Sequence, residues 1–151
     1  MTLPWIRATG AMLVIAVLAG LSIGAVHAAT IVAPEYLAPH YRPDVVRDAG
    51  EAGGLFLDVR ARGAVPPARL AEKTAAALAE SRLGEAAPVT TDAAGEAPAT
   101  KVVIVFDPAA ATGYEDVCSG TTATGGDSLD EIMLTLCHDG AAISSVTASN
   151  G

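Results

Sequence analysis

Aromatic side chains are scarce in this sequence: they make up 4% of 151 residues, with one tryptophan, two phenylalanines and three tyrosines. Aromatics are the largest single sources of buried area in a core, so this core must be assembled from smaller side chains, chiefly alanine and valine. Positive charge is also in deficit, with nine lysines and arginines against 17 aspartates and glutamates. Nucleic-acid binding depends on neutralising phosphates with basic side chains, so the balance argues against a nucleic-acid partner. It argues equally against a polybasic attachment to anionic lipid. Only two cysteines occur, Cys118 and Cys137. Neither lies near residue 28, which closes the lipid-modified route for an exported chain. The apolar run that is present, Ala11 to Val26, is interrupted by Gly20 and Gly24. It falls short of the ~20 residues a membrane-spanning helix needs.

That run fits a leader instead. Arg7 supplies one positive charge, and Met12, Leu13, Val14, Ile15, Val17 and Leu18 supply an apolar stretch. Val26-His27-Ala28 then sets small apolar side chains three and one residues ahead of a cleavage point. Together these make the tripartite pattern of a secretory signal peptide, here residues 1–28, with Ala29 as the new N-terminus. An uncleaved anchor is the competing reading. Cleavage leaves 123 residues, enough for one domain. Eight basic residues then face 17 acidic ones, a net charge of −9. The expected location is the periplasm or the cell exterior, with no stable membrane insertion after cleavage.

Residues 29–52 contain Pro34, Pro39 and Pro43, and proline disfavours helix interiors and central strands. They are expected to form an extended arm, with one or two helical turns over Pro43 to Ala49. Residues 53–151 are expected to form a single α+β domain. Leu55, Leu57 and Val59 alternate with Phe56, Asp58 and Arg60, the period of a half-buried strand. Pro66-Pro67 opens a helix expected to run to about Leu83 and stop at Gly84. Its apolar stripe is Leu70, Thr74, Ala77 and Leu78. Val102 to Phe106 is apolar on both faces, as suits a central strand. Residues 85–100 and 109–128 read as loops. The alternating run from Ile132 to Cys137 is followed by Asp139-Gly140, a two-residue hairpin signal. The return strand, Ala141 to Thr147, should bulge near Ser144-Ser145, because Ile143 and Val146 are three apart. The expected order is β-α-β-β-β: one mixed or antiparallel sheet of about four strands with one main helix on a face.

Tyr41-Arg42-Pro43-Asp44-Val45-Val46, Gly53-Gly54-Leu55-Phe56-Leu57-Asp58-Val59 and Val102-Val103-Ile104-Val105-Phe106-Asp107-Pro108 resemble a group of small exported proteins of alphaproteobacteria. The tail Leu136-Cys137-His138-Asp139-Gly140 with Ile143-Ser144 is similar as well. The stretch Ala61-Arg62-Gly63-Ala64-Val65-Pro66 departs from the group's pattern. The resemblance implies export and a shared fold, and it implies no catalytic residue.

Two cysteines in an exported chain favour a Cys118–Cys137 disulfide. Cys137-His138 is a poor metal pair, because adjacent strand residues point to opposite faces. The loop carboxylates Asp127, Asp130 and Glu131 miss the calcium-loop pattern, with Leu129 in place of an oxygen ligand and Ile132 in place of the turn glycine. Gly120 to Gly126 carries no lysine and is no phosphate loop. No Gly-x-Ser-x-Gly elbow occurs. The only histidines after the leader are His40, in the arm, and His138, expected to be solvated beside the hairpin turn. The residues therefore nominate no catalytic, cofactor-binding or metal-ligating set. The expected function is a non-catalytic exported protein, an accessory or partner-binding module for another envelope protein. The alternative is a small secreted hydrolase or metal-dependent enzyme using His40 or His138.

Overall fold

The computed structural model describes residues 30–32, 36–42, 44–63, 65–91, 98–121 and 124–150. The expected leader and its cleavage point lie outside them. In chain order the elements are β1 (Thr30–Val32), β2 (Tyr36–Leu37), α1 (Asp44–Glu51), β3 (Leu55–Arg60), α2 (Pro67–Ala79), α3 (Arg82–Ala86), β4 (Val89–Thr90), β5 (Thr100–Phe106), α4 (Tyr114–Ser119), β6 (Glu131–His138) and β7 (Ala141–Asn150). The strands form one mixed sheet in the order β1-β7-β6-β5-β3-β4, with β2 also paired to β7. The architecture is α+β on a single sheet, as the sequence implies. About four strands and one main helix undercounts it, because among the described residues six strands follow one another across the sheet and there are four helices.

β5 is the centre. It runs parallel to β3, Val59 lying opposite Ile104, and antiparallel to β6, Leu134 lying opposite Ile104. Its side chains divide between two clusters. Val102, Ile104 and Phe106 join Leu70 and Leu78 of α2, Ala49 of α1 and Leu55 and Leu57 of β3. Val103 and Val105 lie on the opposite face with Val117 and Cys118 of α4 and Cys137 of β6. An all-apolar strand is what a position covered on both faces demands.

The helix after Pro66-Pro67 is shorter than expected. It ends at Ala79, and the chain turns at Ser81, whose amide and hydroxyl both donate to the Leu78 carbonyl. Gly84 is not its stop. It belongs to α3, where a Cβ would come within 2.5 Å of the Leu78 carbonyl oxygen, so glycine allows α3 to fold back against α2. Thr74 of α2 is fully buried and its hydroxyl has no hydrogen-bond partner among the described residues. A buried unsatisfied hydroxyl costs stability that an isosteric methyl does not. Thr74→Val should therefore stabilise the domain by about 1 kcal/mol in urea unfolding, and a destabilised variant would contradict this packing.

The β6–β7 hairpin turns at Asp139-Gly140, with φ of 50° and 80°, the positive pair that a two-residue hairpin turn requires. The bulge falls slightly earlier than expected: Leu136 lies opposite Ser144 and Cys137 opposite Ala142, so Ile143 is the extra residue. The second long loop contains α4, which no periodicity in its Gly- and Thr-rich sequence announces. Gly113 and Asp116 start it, the Gly113 amide donating to the Asp116 carboxylate at 3.0 Å, and Gly120 ends it with φ of 85°.

Within its described residues the proline-containing segment is paired with the sheet. Thr30, Ile31 and Val32 pair with Asn150, Ser149 and Ala148, and Tyr36 and Leu37 pair with Ser145 and Ser144. Both stretches lie antiparallel on the outer edge of β7. α1 follows, and among the described residues it buries Ala49 in the main core.

Candidate functional site

The expected disulfide is present. Cys118 and Cys137 are bonded with a Cα–Cα separation of 5.5 Å, so α4 is bound covalently to β6. A disulfide fits an oxidising compartment. Among the described residues, no helix is long and apolar enough to cross a membrane.

His138 is not simply solvated. It ends β6 directly opposite Thr100, which begins β5. Its Nδ1 lies 2.7 Å from the Thr100 hydroxyl oxygen, and its Nε2 lies 3.4 Å from the Asp139 carboxylate. The side chain is 39% exposed. The expectation of a solvated ring is corrected on this point: cross-strand pairing sets Thr100 within reach, which a reading of isolated segments could not anticipate. Hydroxyl, imidazole and carboxylate stand in the order that nucleophilic catalysis uses. Access opposes that use. Thr100 is only 6% exposed, while Asp139 is exposed and fixes the ring weakly. As a structural contact the pair has a measurable worth. His138→Ala strands a buried hydroxyl and should cost about 1–2 kcal/mol in chemical denaturation, whereas an unchanged midpoint would show the contact to be idle.

His40 is exposed on the turn after β2. Among the described residues, no group of three or more His, Cys, Asp or Glu side chains is placed to hold a metal. In the acidic loop, Ser128 donates to Asp130 at 2.6 Å and accepts from the Asp130 amide at 2.9 Å. That loop is folded upon itself.

A second place gathers polar residues. β3 and β5 are parallel neighbours whose following helices pack on opposite faces, α2 in one cluster and α4 in the other. Open sheets form a crevice at the carboxyl ends of such strands. Here Arg60 and Asp107 stand at those ends. The Arg60 guanidinium donates to Asp58 through Nε at 3.2 Å and Nη2 at 2.8 Å, while its buried Nη1 has no hydrogen-bond partner among the described residues. Asp107 has φ of 47°, its amide donates to the Glu131 carbonyl, and its carbonyl accepts from the Gly125 amide. These bonds account for its backbone.

The third place is the outer edge of β7 with its two short partners. Tyr36 of β2 stacks on Tyr114 of α4 with ring centroids 3.9 Å apart and planes 13° from parallel. Burial, followed by the neighbouring Tyr114 and Glu115, raises the Tyr36 phenol above its ordinary range. Ala38 is buried and its amide donates to the Ile143 carbonyl at 3.0 Å. Leu37 is 53% exposed, the one large hydrophobic side chain so exposed among the described residues. The tyrosines are 78 positions apart in sequence, and nothing in their spacing announces the contact. Comparison with protein-family models, curated proteins and solved structures finds no match.

Proposed function

We propose that this is a non-catalytic exported protein of the periplasm, a partner-binding module that docks another envelope protein at the β1–β2 margin of its sheet. The observation that carries the reading is Leu37, a large apolar side chain left in solvent on a two-residue strand at the margin of the sheet. An edge strand presents unpaired backbone groups, and extended segments of partners add to such edges through main-chain hydrogen bonds. Residues 30–32 and 36–37 already cover β7, so a partner's extended segment would add outside β1 and β2, beside Leu37. Export is supported by the leader pattern, by the resemblance to exported alphaproteobacterial proteins and by the disulfide.

The test is capture from an envelope extract with the mature wild-type protein and with Leu37→Lys. Because Leu37 is exposed, the substitution should change stability by no more than about 0.5 kcal/mol. Loss of the captured partner with stability unchanged is the expected result. Equal capture by both proteins would refute docking at this edge.

A hydrolase is the second reading, favoured by the contact of Thr100, His138 and Asp139. It requires hydrolysis of an ester or peptide substrate by the wild-type protein that both Thr100→Val and His138→Ala abolish. Turnover unchanged in those variants would remove it.

A further inference from the structure

α4 is tied to three other elements at once. Cys118 bonds it to Cys137 of β6. Its Glu115 carboxylate accepts from the Ala142 amide of β7 at 3.3 Å. Tyr114 stacks on Tyr36 of β2 with centroids 3.9 Å apart. Tyr114 and Cys118 stand one helical turn apart on α4, so they share a helix face. On the sheet side these ties meet at the β6–β7 bulge. Cys137 lies opposite Ala142, and the next residue, Ile143, supplies the carbonyl that accepts from the Ala38 amide at 3.0 Å. β2 is two residues long and pairs with β7 at Ser145 and Ser144. The seat of Leu37 therefore depends on the Ala38 bond and on the ring that α4 lays over Tyr36.

We infer that closure of the Cys118–Cys137 bond is an oxidative switch that sets the Leu37 margin in place after export. A helix of six residues is not stable without tertiary support. With both thiols reduced, α4 leaves the sheet more often, and each departure takes Tyr114 from Tyr36. The co-reactant is a thiol oxidant that carries a disulfide. One cysteine thiolate attacks that disulfide, forming a mixed disulfide and releasing one oxidant sulfur as a thiolate. The second cysteine thiolate attacks the protein's own sulfur in the mixed disulfide, forming the Cys118–Cys137 bond and expelling the oxidant's other sulfur. Two electrons pass to the oxidant, and the two protons shed by the cysteines end on its two thiols. In the closed form Cys118 is 4% exposed and Cys137 is 0% exposed. The exchange thus takes place with α4 lifted from the sheet, and closure shields the bond from later reduction. The inference rests on Leu37 being the docking residue and adds that docking competence is acquired by oxidation.

The experiment refolds the mature chain with and without a dithiol reductant and follows amide exchange at Ala38 beside the margin and at Ile104 in β5. In the reduced protein Ala38 should exchange about tenfold faster, while Ile104 keeps its protection. Tyr114→Leu with the bond intact should speed Ala38 to a similar degree, which assigns the effect to the ring stack. Capture of the envelope partner should fall in both cases. Ala38 exchange that is the same in the two redox states, or unmoved by Tyr114→Leu, would overturn the switch. Joint loss of protection at Ala38 and Ile104 would overturn it as well, because the bond would then be a general brace. Undiminished capture by the reduced protein would do the same. The exchange measurement involves no partner, and docking itself is judged by Leu37→Lys, so the two readings fail separately.

Discussion

Ile104→Asp should destabilise the domain by about 4 kcal/mol or more, enough to prevent accumulation of folded protein. Ile104 is fully buried at the middle of β5, with Val59 and Leu134 as strand neighbours and Leu70 and Leu78 of α2 in the same cluster. A carboxylate there loses its hydration among apolar neighbours. A core poor in aromatics has little reserve against such a loss, since small domains are stable by only ~5–15 kcal/mol in total. Ile104→Val is the control. It removes one methylene and should cost about 1 kcal/mol, leaving folded protein whose urea midpoint can be measured. A soluble Ile104→Asp protein with the wild-type midpoint would show that β5 is not central.

Removing the Cys118–Cys137 bridge should cost about 3 kcal/mol, the chain-entropy value for a loop of this length. The separation in sequence is 19 residues. The effect should be local as well as global. α4 has six residues, too few for a stable helix without tertiary support. The bond holds it over Val103 and Val105 of β5. In the Cys118→Ala/Cys137→Ala double variant, the amides of α4 should exchange with solvent much faster than those of β5 and β6. Thiol titration of the denatured wild-type protein should find no free thiol before reduction and two after. A midpoint unmoved by reduction would mean that α4 is held by packing alone.

The parts of this fold legible in the sequence are those governed by neighbours along the chain. Leu55 to Arg60 alternates, Val102 to Phe106 is apolar throughout, and Asp139-Gly140 demands a positive-φ turn. Each of these local rules agrees with the structure. The parts that were not legible depend on distant residues. Residues 30–32 and 36–37 contain too few positions to show a period, and they become strands only because β7 offers them an edge. α4 is hidden in a Gly- and Thr-rich stretch, and its stability comes from Cys137 and the valine face beneath it. Gly84 reads as a helix stop, since glycine usually serves there, yet its role is close approach between α2 and α3. Thr100 lies just outside the apolar run of β5, and only the β5–β6 register sets it against His138. The disulfide was legible because two cysteines allow only one pairing.

In the proposed reading a partner docks beside Leu37, on the β2 strand that covers β7. A photoreactive amino acid at position 37, with a second protein carrying it at Glu72, an exposed site on α2, tests this in the intact envelope. Irradiation should give an adduct from position 37 whose mass identifies one envelope protein, and none from position 72. No adduct from position 37, or the same adduct from both positions, would contradict docking at this edge.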